Sequence, residues 1–468
     1  MFNANYEIFK GMVSGKKIAV LGLGVSNIPA VEFLYKHGAV ITACDKNTAD
    51  KFDEKTINLL RTCCNSLKLG ENYLANLTDY DLILKSPGIN PANEEIKKAR
   101  EAGVVITSEM EIFMSLCPCR IIGVTGSDGK TTTTTLIYEM LKSDGKNCHV
   151  GGNIGTPLID RLEYINDDDY VVLELSSFQL MLMKQSPDIS VITNISPNHL
   201  DYHADMTEYT EAKANIFKYQ TADSKLVINA DNAVTAGFAG RQHGELVHFS
   251  RKGVCSGSYV SDGKIYYDDE YIMDVCDIRL NGDHNVENYL AAIAAVHGLV
   301  DRETILHVAR NFKGVAHRME YVRTVSDIDF YNDSIGSSPT RTIAGLEAHK
   351  GRIVLIAGGY DKKLPFDELG KVIKKRVSAL VLCGATADKI EEAVLKTYKS
   401  TEKPMNMLKT ESFDTAVKGA FAIARSVSAD TGEPVSVILS PACASFDMFK
   451  NFEVRGNKYK EIVNSLTE

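Results

Sequence analysis

The stretch Ile121-Ile-Gly-Val124-Thr125-Gly126-Ser127-Asp128-Gly129-Lys130-Thr131-Thr132-Thr-Thr-Thr135 decides the fold of this chain. Its apolar start reads as a buried strand and its glycines as a tight loop, and Leu136, Ile137, Met140 and Leu141 beyond it recur on one helical face. Strand, glycine-rich loop and helix in that order suit a nucleoside triphosphate. The phosphates need backbone N–H groups at close approach, a cation such as Lys130 on the β- and γ-phosphates, and a hydroxyl such as that of Thr131 for Mg²⁺. The strict loop pattern has glycine at position 124, where this chain has Val124. The plainer alternative, a glycine turn and an exposed lysine before an ordinary helix, is disfavoured by the strand-loop-helix context.

Outward from that loop, 468 residues at 44% hydrophobic and 24% charged suit a soluble globular protein of about three domains. A net charge of −9, with no cluster of Lys and Arg, argues against a nucleic-acid or anionic-membrane partner. The ten cysteines are scattered, and Cys117-Pro118-Cys119 has the wrong spacing for a zinc or thioredoxin motif, so they read as reduced thiols in a cytoplasmic protein. Residues 1–17 hold no long apolar run, and no stretch approaches the length of a membrane span.

Before the loop, Lys16 to Asn27 forms a second strand and glycine turn (Gly22, Gly24), followed by a helix over 28–37 and a strand over 39–45 ending in Asp45. The spacing from Gly22 to Asp45 suits a mononucleotide-binding βαβ unit, although Asn27 stands where a third glycine would complete a dinucleotide fingerprint. Another strand, 80–85, runs into Ser86-Pro87-Gly88, either a plain turn or a ligand-facing one at the carboxyl edge of the sheet. The pattern changes near 104–111, which places the first boundary there, with domains expected over 1–108, 109–314 and 315–468.

After the loop, residues 149–157 are rich enough in glycine to read as irregular, and the strand 170–174 ends in Glu174. A carboxylate at the end of a neighbouring strand serves Mg²⁺ or its water shell in such enzymes, or else caps the next turn. The strand 189–194 leads to His199 and His203; zinc is disfavoured because no third ligand has the usual spacing, and His203 reads as solvent-facing. A helix over 207–220 carries Lys213 between Ala212 and Ala214, where a lysine could point inward. Short β segments over 247–280 suggest a small accessory sheet, and Asn285 before an alanine-rich helix is either a cap or a nucleobase contact. Beyond His317 and Arg318 a third α/β domain has strands near 329–332, 352–357, 378–383 and 434–440.

The assembled motifs resemble the ATP-dependent Mur ligases over nearly the whole chain: Ser86-Pro-Gly-Ile89, Thr125-Gly-Ser-Asp-Gly-Lys-Thr131, Gly151-Gly-Asn-Ile-Gly155, Leu173-Glu-Leu-Ser-Ser-Phe-Gln179, His199-Leu-Asp201, His317-Arg318, Asn332-Asp-Ser334, Ser440-Pro-Ala-Cys-Ala-Ser-Phe-Asp447 and Phe449-Lys-Asn-Phe-Glu-Val-Arg-Gly456. The last two blocks point to the D-glutamate-adding branch. The resemblance implies Rossmann-like first and third domains around a P-loop ATPase-like centre with a mainly parallel sheet. It implies ATP, two Mg²⁺ ions, and UDP-N-acetylmuramoyl-L-alanine and D-glutamate as substrates of a monomer. Several family members have Asn at the place of Asp128 and Lys at that of Ile335.

By resemblance, Lys130, Glu174, His199 and Lys213 would carry the catalysis. Gly126, Ser127, Asp128, Gly129, Lys130, Thr131, Thr132, Asn285, Arg318 and Asp333 would meet ATP. Thr131 and Glu174 would attend the first metal ion, His199 and a carbamylated Lys213 the second. The uridine substrate would meet Val25, Ser26, Asp45, Ser86, Pro87, Gly88, Asn153 and His199. D-Glutamate would meet Arg318, Lys362, Ser445, Phe446 and Phe452. Rival readings are another amino-acid ligase of the family, a P-loop regulatory ATPase, or an NAD-dependent oxidoreductase built on the first glycine turn.

Overall fold

The computed structural model describes residues 4–198, 202–280, 282–361 and 364–467. The chain divides into two compact units, Met1–Phe312 and Lys313–Glu468. Three α/β domains, each with its own sheet, make up these units, two in the first and one in the second.

The first sheet has five parallel strands, β1 (Lys17–Leu21), β2 (Val40–Asp45), β3 (Ser66–Leu69), β4 (Leu82–Lys85) and β5 (Val105–Thr107), in the order β3-β2-β1-β4-β5. Ile18 to Leu21 are wholly buried because helices cover both faces of a parallel sheet, which is why the strand reads as a continuous apolar run. The strand order reverses between β1 and β4, so the turns after those two strands part there and leave a crevice at the carboxyl edge. Asn27, in place of the third glycine, is buried and donates its amide to the carbonyls of Leu21 (3.1 Å) and Gly22 (2.9 Å), tying the helix start to the turn.

The second sheet comprises β6 (Arg120–Thr125), β7 (Cys148–Gly152), β8 (Tyr170–Glu174), β9 (Ile189–Ile192), β10 (Lys225–Asn229), β11 (Glu245–Ser250), β12 (Gly257–Ser261), β13 (Lys264–Tyr267) and β14 (Glu270–Asp274). Their order is β14-β13-β12-β11-β10-β9-β6-β8-β7. Two expectations are corrected here. The glycine-rich segment at 149–157 begins as the edge strand β7, with Gly151 opposite Leu173 and Gly152 opposite Glu174. A side chain at Gly151 would lie 2.7 Å from Leu158, so the glycine admits Leu158 against the sheet rather than breaking the strand. The short segments of 247–280 are not a separate sheet: β12 pairs parallel to β11, and β13 and β14 then extend the same sheet antiparallel.

In the second unit, β15 (Glu320–Val325), β16 (Ile328–Asn332), β17 (Arg352–Ala357), β18 (Val377–Cys383), β19 (Asn406–Thr410) and β20 (Val435–Leu439) order as β15-β16-β20-β17-β18-β19. Only β15 is antiparallel to its neighbour. β20 lies between β16 and β17, so three distant segments, Asn332-Asp333-Ser334, Gly358-Gly359 and Ser440 to Asp447, leave the sheet side by side. The ten cysteines are free thiols. Among the described residues, no helix is long and apolar enough to cross a membrane.

Candidate functional site

The glycine-rich loop connects β6 to the helix Lys130–Ser143. Val124, the departure from the strict pattern, is still strand and accepts a backbone bond from Leu175, so no glycine conformation is required there. The demand falls two residues later. Gly126 has φ +148°, and a Cβ on it would lie 1.9 Å from the Thr193 hydroxyl, while Gly129 has φ +79° and faces Asn288. Residues from β9 onward hold the loop open. The N–H groups of Ser127 and Asp128 donate to the carbonyl and side chain of Asn194, and Thr193 and Asn194 donate back to the carbonyl of Asp128. The Asp128 side chain is exposed, so its part in holding the loop is played by its backbone. Lys130 donates to the carbonyls of Gly126 and Ser127, both at 2.9 Å, which keeps the ammonium over the loop.

Glu174, at the end of β8, is 2% exposed. Its Oε1 accepts from the Asn153 amide at 2.7 Å, and its Oε2 has no hydrogen-bond partner among the described residues. A buried, half-satisfied carboxylate is costly unless a cation completes it, so Glu174 fits a Mg²⁺ ligand better than a turn cap. The turn it precedes is instead capped by Ser176 and Gln179. Asn153, expected on the sugar side, therefore lies against Glu174. Thr131 is buried at the start of the helix on this edge. Among the described residues no group of three His, Cys, Asp or Glu side chains is placed to hold a metal ion; His199, expected in that set, lies outside the described residues.

Lys213, on the helix Met206–Lys218, points inward as expected and is 2% exposed. It donates to the Gly126 carbonyl at 2.7 Å and lies 4.7 Å from the centre of the Tyr209 ring. Burial, then the neighbouring Lys130 charge, push its pKa well below the ordinary lysine range, against the pull of Glu174 and Asp128. His203 overturns the expectation of a solvent-facing residue. It is buried, stacked on Phe178, T-shaped to Tyr209, and hydrogen-bonded to the Ser177 hydroxyl at 2.9 Å. An aromatic cluster of Phe178, Tyr202 and Tyr209 encloses it, and nothing in its local sequence signals that enclosure. Tyr209 was likewise not foreseen: its hydroxyl meets that of Ser127 at 3.0 Å, tying Lys213's helix to the loop. The helix Asp283–Val296 is capped by Gly282, so Asn285 is not its N-cap; Asn285 accepts from Asn288, whose carbonyl in turn accepts from Thr133 beside the loop.

In the first sheet the crevice between β1 and β4 opens into a cavity of about 350 Å³, lined among others by Gly22, Gly24, Asp45, Ser86 and Gly88. Asp45 faces it with both oxygens in use, accepting from the N–H groups of Leu23 (2.7 Å) and Asn47 (2.8 Å). Val25, at 79% exposed, and Ser26 sit on the rim of the same glycine turn, and Pro87 shows its carbonyl to the Tyr202 hydroxyl.

The second unit carries its own cluster. Asp333 is 5% exposed and accepts from the Ser440 hydroxyl at 2.6 Å and the Met319 N–H at 3.3 Å. Burial raises its pKa to about 6 in spite of those bonds and of the charges of Arg318 and Arg341. Arg318 is exposed, following His317, which is buried, has φ +64° and hydrogen-bonds Asn332 at 2.9 Å. Ser445 is buried, Phe446 is exposed and meets the Tyr360 ring edge-on, and Phe452 opens the helix Phe452–Ser465. Lys362 lies outside the described residues. Arg455, a motif residue to which the resemblance assigns no role, is fully buried and braces the strand ends through Ser334 and the Cys443 carbonyl.

Residues 16–108 match the Mur ligase MurD-like N-terminal domain, 124–296 the Mur ligase middle domain, and 317–436 the Mur ligase glutamate ligase domain. The chain is 50% identical to UDP-N-acetylmuramoylalanine--D-glutamate ligase of Acetivibrio thermocellus, covering 99% of each, and 48% identical to the protein of that name from Clostridium botulinum, covering 99% of this chain and 100% of the relative. The fold is shared with UDP-N-acetylmuramate-alanine ligase of Thermotoga maritima (TM-score 0.55, 19% identity, 96% of this chain and 99% of the other) and with MurF of Acinetobacter baumannii (TM-score 0.55, 14% identity, 95% and 93%). With three domain matches in register and half of its residues shared with these relatives along its whole length, the chain belongs to the Mur ligase family.

Proposed function

We propose that this protein is an ATP-dependent ligase that joins D-glutamate to UDP-N-acetylmuramoyl-L-alanine in peptidoglycan precursor synthesis, acting as a cytoplasmic monomer. The observation that carries the reading is the end-to-end identity with relatives of that name. It favours this member over other amino-acid ligases of the family, and the phosphate loop favours ATP over a nicotinamide cofactor. The domains would extend over 1–108 for the uridine substrate, 109–314 for ATP, and 315–468 for D-glutamate and the closing of the nucleotide site.

A carboxylate is a poor electrophile, so it must first take the γ-phosphoryl group of ATP to become an acyl phosphate; the D-glutamate amine then attacks and phosphate leaves. The γ-phosphoryl transfer brings anions together, and Lys130 with the loop N–H groups offsets that charge. Bound Mg²⁺, in two ions, would neutralise phosphate oxygens. Thr131 and Glu174 would hold one ion, and the free Oε2 of Glu174 supports that role. His199 and Lys213 would serve the other. An ammonium repels a metal ion, so Lys213 would act as its carbamate; burial and the Lys130 charge lower the pKa of the amine, which favours that adduct with CO₂. Asn285 would meet adenine, Asp333 the nucleotide from the second unit, and Arg318, Lys362, Ser445, Phe446 and Phe452 the amino acid. The uridine substrate would occupy the cavity of the first sheet, with Asp45, Ser86 and Gly88 on its walls; Val25, Ser26, Pro87, Asn153 and His199 would be its further contacts.

The test is ADP release. Rapid release should require both UDP-N-acetylmuramoyl-L-alanine and D-glutamate, and L-glutamate should fail. Faster release with diaminopimelate or L-alanine than with D-glutamate would overturn the assignment.

A further inference from the structure

The turn at 86–89, which contributes Ser86, Gly88 and Ile89 to the cavity wall of the first sheet, is held by a side chain to which no motif gives a role. Lys85, the last residue of β4, is 4% exposed, and its ammonium donates to the carbonyls of Ser86 at 2.9 Å and Ile89 at 2.7 Å. The Tyr202 hydroxyl approaches the carbonyls of Pro87 and Ile89 at 3.1 and 3.2 Å. Three of the four carbonyls in the turn at 86–89 are thus drawn inward by two donors. On the exposed side, the N–H of Gly88 makes a long 3.4 Å contact with the Ser86 hydroxyl, which a ligand oxygen could replace at little cost.

A buried ammonium is ordinarily matched by a carboxylate, because desolvating a charge without a partner is costly. The partners found here are carbonyls. Burial alone lowers the Lys85 pKa, to about 8, so the group still carries its charge at neutral pH. The carboxylate on the cavity wall, Asp45, is engaged by two backbone N–H groups, and Lys46 adds a second cation to the lining. An uncompensated positive charge beneath a turn of the wall favours an anionic ligand over a neutral one of the same shape.

We propose that Lys85 is both a positioning residue and the buried cation behind the wall of the first-domain cavity: it holds the turn at 86–89 in its binding shape and selects the diphosphate of a nucleoside diphosphate over the uncharged nucleoside. The proposal rests on the reading of this cavity as the uridine substrate's site and names the part of that substrate the lysine recognises.

Titration calorimetry of the full-length protein with UDP, UMP and uridine tests it. Lys85→Gln keeps a donor for the turn and removes the charge. It should weaken UDP about tenfold, UMP about threefold and uridine less than about twofold, as expected for loss of one charge several ångströms from the phosphates. Lys85→Arg should keep the wild-type ratio of UDP to uridine affinity. Tyr202→Phe removes a hydrogen bond from the same turn without changing charge, and should lower all three affinities by one common factor. A Lys85→Gln protein that loses the three ligands equally, as Tyr202→Phe does, would reduce Lys85 to a structural strut and overturn the proposal. Because the ratio is read within each protein, a partly destabilised variant still reports, and Lys85→Met is the second neutral variant. If wild-type protein binds an ATP analogue but none of the three ligands, the cavity reading fails together with this one; tight UDP binding with a flat Lys85→Gln response sinks this inference alone.

Discussion

Replacing Asp333 by Asn should change the pH dependence of stability in a direction the structure dictates. The carboxyl is 5% exposed, and burial raises its pKa from 3.8 to about 6 in the folded state. A raised carboxyl pKa means that the folded protein holds the proton longer than the unfolded chain does. The favourable contribution is therefore intact below about pH 3.8, is lost as pH rises to about 6, and then stays level. The full span corresponds to about 3 kcal/mol, and about 2 kcal/mol of it falls between roughly pH 4.5 and 7.5. Asn does not titrate, so the stability of Asp333→Asn relative to wild type should improve by about 2 kcal/mol on going from roughly pH 4.5 to 7.5. The Ser440 hydroxyl can turn to Thr342, 2.8 Å away, when it faces an amide N–H₂ group. For a unit the size of Lys313–Glu468 the difference should appear as about 4–8 °C in the relative Tm measured at the two pH values. Ligation should fall in the same variant, since an ionisable group buried at a cost in stability is expected where function needs it. A relative stability that is the same at both pH values, within about 0.5 kcal/mol, would refute the reasoning, because the titration of a buried carboxyl is its whole content.

Two further outcomes concern single side chains. Arg318→Lys should raise the KM for D-glutamate by about tenfold or more with nucleotide affinity nearly intact, because an exposed guanidinium can grip a carboxylate with two parallel N–H donors and an ammonium cannot; equal loss of both ligands in steady-state and binding assays would make Arg318 a structural residue. Lys213 should give a carbamate resonance with ¹³C-bicarbonate, and Lys213→Ala should lose activity that small carboxylates partly restore; full activity of Lys213→Ala without them would show that the site needs no anion there.

Local order in the sequence was enough for most of the core strands and for which residues end them. Residues 121–135 specify strand, loop and helix because a buried parallel strand is a continuous apolar run and the loop needs glycine where its backbone turns sharply. The third domain's strands β16, β17, β18 and β20 were legible for the same reason, whereas β15 and β19 were not, being half-exposed edge strands without an apolar run. Gly151 misled because its lack of a side chain serves Leu158, a contact from outside the strand.

What the sequence by itself determined is therefore the inventory: a phosphate loop with Lys130 and Thr131, a glycine turn answered by Asp45, a carboxylate at position 174, and the blocks that mark the family. Which groups meet was decided by the tertiary structure. Strand order brings β16, β20 and β17 together, so that Ser440 reaches Asp333 across 107 residues of chain, and it parts β1 from β4 to leave a cavity. Packing decides that His203 is enclosed by aromatic rings, that Tyr209 ties Lys213 to the loop, and that Lys85 keeps its charge beneath a turn with carbonyls for partners. The physical reason is common to all three. Burial and the dielectric around a charge are properties of what surrounds a residue in space, and the neighbours that set them come from segments that no local pattern of apolar and polar residues connects.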